Sequence, residues 1–112
     1  MGASEHVSVC VGARAPTDEM FVCVSRIELH LPNGASLKGK RQVLKSLKDR
    51  IKHRFNVSIA EIEDQDLWQK AVLGVACVGN EQFHVRRIVE QVISMIRGTP
   101  TVEVLHCDIE VM

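Results

Sequence analysis

Between Phe21 and Leu31 the chain alternates. Phe21, Cys23, Ile27, Leu29 and Leu31 share one parity, while Val22, Val24, Arg26, Glu28 and His30 share the other. A period of two belongs to a strand, so residues 20–31 are predicted as the first strand, stopped by Pro32-Asn33-Gly34. The period then lengthens. Ser36 offers a helix N-cap, and Val43, Leu44, Leu47 and Ile51 fall at i, i+1, i+4 and i+8, one face of an amphipathic helix that Asn56 ends. Residues 57–63 read as a second strand and Asp64-Gln65-Asp66 as a turn. Residues 68–79 form a third strand, apolar at both parities, which suits the middle of a sheet. Asn80 is the expected cap of a second helix carrying Val85, Ile88, Val89, Val92 and Ile96, closed by Gly98 and Pro100. Residues 101–111 are the last strand. Leu105, Cys107, Ile109 and Val111 share a side there, but Val102 and Val104 have the other parity, so a bulge is expected near Val104-Leu105.

The order β-α-β-β-α-β, with right-handed crossovers, predicts an α+β, ferredoxin-like fold. Its four-stranded antiparallel sheet runs in the order 4-1-3-2, with both helices on one face. Residues 20–112 make this single domain. Residues 1–19 lack its periodicity and read as an N-terminal extension, either a loose tail or an added edge strand through Val7, Val9 and Val11. The helix-free sheet face would carry Val22, Val24 and half of the third strand. A partly apolar open face predicts a partner, and a second copy of the chain is one candidate.

Charge changes this picture most. The chain has 14 Lys+Arg, 14 Asp+Glu and no formal net charge. Yet Ser36 to Arg54 holds eight cations against one acid, Asp49, a local charge of +7. Lys38, Arg41, Lys45, Lys48 and Lys52 are spaced 3, 4, 3 and 4 apart, a continuous stripe beside the apolar one. Like charges so spaced repel, so helix stability alone would intersperse acids. The stripe rises about 21 Å, enough to touch several phosphates. A solvated face, or one paired with Glu61, Glu63, Asp64 and Asp66, is the alternative. Lys38, Lys40, Arg41, Lys45, Lys48 and Lys52 are the candidate nucleic-acid contacts.

The start of that helix also matches G-x-x-x-x-G-K, from Gly34 to Lys40, after a strand. The next position should be Ser or Thr to hold magnesium and is Arg41, so a nucleotidase is rejected while phosphate contact by the same loop is kept. His6, His30, His53, His84 and His106 show no ligand spacing with one another or with Cys10, Cys23, Cys77 and Cys107. No metal, cofactor or catalytic pair is expected, and the protein is read as non-enzymatic. The cysteines read as buried thiols, the opening of the chain shows no secretory signal, and no apolar run is long enough for a bilayer; a cytoplasmic, non-membrane setting is expected. Trp68, the sole tryptophan, sits at the mouth of the second hairpin. It is either a packing anchor or a stacking platform for a base, and the neighbouring Asp64 and Asp66 weigh against RNA there.

Met20-Phe21-Val22, Arg26-Ile27-Glu28-Leu29-His30, Ser36-Leu37-Lys38 with Lys40-Arg41, Arg54-Phe55-Asn56-Val57-Ser58, Ala60-Glu61 and Gln65-Asp66-Leu67-Trp68-Gln69 resemble the YlxP-like family of small bacterial proteins. The resemblance runs from Met20 to the C-terminus and implies a ferredoxin-like fold with no firmly assigned activity. It also implies a genomic neighbourhood of translation and ribosome-maturation factors. Two expectations follow: association with rRNA or a ribosomal particle through the basic helix, or a self-associating (homodimeric) interaction or regulatory module using the open sheet face.

Overall fold

The computed structural model describes residues 19–112. The edge strand considered for the extension, with His6 and Cys10, lies outside the described residues. Six elements follow one another: β1 (Phe21–His30), α1 (Leu37–Arg54), β2 (Ser58–Glu63), β3 (Lys70–Gly79), α2 (Gln82–Arg97) and β4 (Glu103–Val111). The sheet runs β2-β3-β1-β4, all neighbours antiparallel, so the expected ferredoxin-like topology is present.

The alternation in β1 does what its parity dictates. Cys23, Ile27 and Leu29 are buried against the helices, which bring Leu44, Leu47 and Ile51 from α1 and Val85, Val89, Val92 and Ile96 from α2. Each such side chain contributes about 1.5–3 kcal/mol by leaving water. Cys23 and Cys77 lie opposite each other in the β1–β3 ladder, both buried, and burial pushes both thiols above their ordinary pKa. Cys107 is half-buried.

Ser36 caps α1 as expected. Its Oγ accepts from the Gly39 N–H at 3.0 Å, and Lys52, His53 and Arg54 complement the dipole at the other end. Three local expectations change. The last extended residue before α2 is Glu81, not Asn80, and it makes no side-chain cap bond. β3 starts at Lys70, leaving Trp68 and Gln69 in the connecting loop. The bulge does fall where β4 changes parity: His106 opposes Glu28 and Val104 opposes Leu29, so Leu105 is the extra residue. That residue turns outward, 53% exposed, instead of joining Cys107, Ile109 and Val111. Among the described residues no helix is long and apolar enough to cross a membrane.

Candidate nucleic-acid interface

Helix α1 sets the geometry. Its buried line is Lys40, Leu44, Leu47 and Ile51. At 100° per residue, Lys38, Arg41, Lys45, Lys48 and Lys52 fall on one flank of that line. Lys48 is half-buried and the other four are exposed. The opposite flank turns to α2: Asp49, Arg50, His53 and Arg54 line an open cleft of about 670 Å³ with Met95, and the Arg54 guanidinium lies 5.6 Å from the Phe55 ring centre. The spacing that defines the stripe excludes Arg50 and Arg54, which lie on this second, mostly basic edge.

The stripe is almost free of acids. Lys45 Nζ lies 2.9 Å from Asp49 one turn on, which holds the Asp49 carboxyl below its usual range. Lys52 and Lys48 add weaker pulls in the same direction. Lys38, Arg41, Lys48 and Lys52 make no ion pair with a described residue. Of the four acids that could neutralise the stripe, Asp66 is in no ion pair among the described residues and the other three are engaged elsewhere. Glu63 pairs with Arg26 at 2.9 Å, Asp64 faces Lys70 at 4.0 Å, and Glu61 pairs with Lys40 at 2.8 Å.

Lys40 is the correction. The sequence pattern counts it among the phosphate contacts, but its side chain is 1% exposed. Its ammonium donates to the carbonyl oxygens of Asp64 and Leu67, both at 2.5 Å, and faces the Glu61 carboxylate. Glu61 Oε2 lies 2.8 Å from the same ammonium, so the charge pair adds to the two carbonyl bonds. Lys40 therefore staples the β2–β3 turn to α1. The turn needs the staple: Asp64 takes a left-handed φ of 62°, and Leu67 N–H closes it on the Asp64 carbonyl at 3.1 Å. One signal could have revealed this, because Lys40 stands in phase with Leu44, Leu47 and Ile51. The P-loop likeness ends here too, since the lysine points away from the loop and Ser36 Oγ already occupies the helix N-terminus.

Trp68 follows directly on that turn. It is 44% exposed, so burial does not account for it as an anchor. Its backbone, in contrast, is tightly held. A Cβ on Gly34 would lie 2.6 Å from the Trp68 carbonyl oxygen, and Leu31 N–H donates to the Gln69 carbonyl at 2.8 Å. Only glycine lets the β1–α1 loop come this close.

The helix-free face is mixed. At one end Val22 opposes Val78, and Met112 pairs with Val22 on its other side; Val78 and Met112 are exposed. In the middle, Arg26 bridges Glu28 and Glu63 at 2.8 and 2.9 Å. These acids are the ladder partners of Val72, which is buried although it points to this side. His106 and Asp108 pair at 3.0 Å beyond them, on the side of β4 opposite Cys107.

Residues 22–109 match the family described as "Protein of unknown function (DUF503)". The chain is 38% identical over 71 residues to "Uncharacterized protein YlxP" of Bacillus subtilis (strain 168), covering 63% of this chain and 77% of that protein. Among solved structures it is similar to the "De novo designed protein Foldit4", with a TM-score of 0.51 and 14% identity over 84% of this chain and 97% of that one, a likeness of fold alone.

Proposed function

The chain belongs to the DUF503 family, whose description assigns no activity, and from the geometry of α1 we propose a non-enzymatic, cytoplasmic protein that binds the phosphate backbone of rRNA or a ribosomal particle. One observation carries this reading: an exposed cationic ridge with a single acid partner among the described residues. A ridge kept for stability alone would carry acids at i±4. The contacts are with phosphates, so binding reads no sequence. With five residues at the surface, log affinity should fall with log salt at a slope of about −4 to −5. The test is co-sedimentation with 30S and 50S particles at two salt concentrations. Lys45→Glu, Lys48→Glu and Lys52→Glu together should abolish it while thermal melting stays unchanged. An unaltered co-sedimentation profile would sink the proposal.

A second reading rests on the row Met112, Val22 and Val78. This apolar end of the open face suits a second copy of the chain. Sedimentation equilibrium at low micromolar concentration discriminates, and a strict monomer counts against it.

A further inference from the structure

We propose that Trp68 is a stacking platform that takes an unpaired base of RNA at the N-terminal end of the α1 ridge. The inference rests on the phosphate-backbone reading and adds the class of RNA: a strand with splayed bases, not only duplex.

Three observations meet at this corner. First, the indole is left at the surface, 44% exposed, on a backbone fixed at several points. The fixing groups are the Lys40 ammonium on the Leu67 carbonyl, the Gly34 backbone against the Trp68 carbonyl, and the Leu31–Gln69 hydrogen bond. A platform held in advance loses little freedom when a base lands on it. Second, the staple fixes the position of the tryptophan relative to the ridge. Lys40 contacts the residue before Trp68, and Lys40 lies between Lys38 and Arg41, the first two ridge residues. A strand whose phosphates follow the ridge reaches Trp68 at its end. Third, the local charge selects base over backbone. Asp64 is drawn to Lys70 at 4.0 Å, but Asp66 is exposed and unpaired among the described residues, and it repels phosphate. The surface there is an uncharged aromatic face beside half-exposed Leu67, which a base can cover and a phosphate cannot.

Trp68 is the sole tryptophan, so its emission reports its own contacts. The experiment titrates the protein with a twelve-nucleotide oligouridine and, separately, with a twelve-base-pair RNA duplex, following both anisotropy of labelled RNA and Trp68 fluorescence. Oligouridine should bind and quench the emission, and the duplex should bind with emission little changed. Trp68→Ala should weaken oligouridine roughly five- to a hundredfold and leave the duplex unaltered. Trp68→Phe, which keeps an aromatic face, should restore most of the lost affinity. Unaltered duplex binding also shows that the alanine variant is folded. If oligouridine binds without quenching and Trp68→Ala binds it as well as the parent, the platform is refuted while the ridge stands. If neither RNA binds, both readings fall.

Discussion

Replacing Lys40 by methionine removes a charge from a residue the sequence dresses as a surface lysine. The aliphatic stem stays in the core beside Leu44. What is lost is the donor to the Asp64 and Leu67 carbonyls and the counter-charge 2.8 Å from Glu61. Leaving the Leu67 carbonyl without a donor costs about 1–3 kcal/mol when it is dry, while the Asp64 carbonyl keeps the Leu67 N–H. Breaking a buried ion pair by deleting one partner costs about 3–5 kcal/mol. These overlap, and Glu61 keeps 17% of its side chain in water, so the combined loss should be about 3–4 kcal/mol. In a domain this size the melting temperature should then fall by at least about 12 °C. Guanidinium unfolding followed by far-UV circular dichroism measures the loss, and Trp68 emission reports the turn separately. Adding Glu61→Gln to Lys40→Met should recover roughly 1–2 kcal/mol, because the stranded charge is gone while the Leu67 carbonyl remains unmet. A loss within about 0.5 kcal/mol for the single change, the range for an ordinary surface residue, would refute the staple. So would a double variant no better than the single.

Two further outcomes follow from the same structure. Asp49→Asn frees Lys45 and deletes the one acid on α1, so duplex RNA affinity should rise severalfold, with a steeper salt dependence in filter-binding assays; unchanged binding would show that the ridge does not meet phosphate. Burial raises the Cys23 and Cys77 thiols above their ordinary pKa, which favours the neutral form in the folded state. The stability they lend is full below the ordinary thiol pKa and is lost as pH climbs past it. Melting temperature should therefore decline at alkaline pH, less steeply in Cys77→Ala, and an equal decline in both would refute the assignment.

The strands and helices were legible because their periods are clean. Cys23, Ile27 and Leu29 could only face one side, and the mismatch of Val104 with Cys107 announced the bulge. Which residue the bulge would eject was not legible: both Val104 and Leu105 are apolar, and only the register with Leu29 and Glu28 decides that Leu105 turns out. At the site, the spacing of the ridge came directly from the sequence. The fate of Lys40 did not. Composition labels lysine as polar, and that label outweighed its phase with Leu44, Leu47 and Ile51. What reverses it is a long-range event, the return of the β2–β3 turn with the Asp64 and Leu67 carbonyls and Glu61. Trp68 was seen as a hairpin residue. Its exposure could not be seen, since that depends on how close Gly34 lets two loops come.

Putting both helices on one side of the sheet also sorts the charge. Helices α1 and α2 hold eleven of the chain's 14 basic residues and only two of its 14 acids, Asp49 and Glu90. The rest of the chain must carry an equal excess of acid. Among the described residues outside the helices, ten acids stand against two bases, so the described domain is dipolar, positive over the helix layer and negative over the strands and loops. Far from a polyanion such a body feels a torque more than a pull. It would turn its helices forward before any lysine made contact, and about 0.15 M salt, with a screening length near 8 Å, would confine that alignment to the final approach.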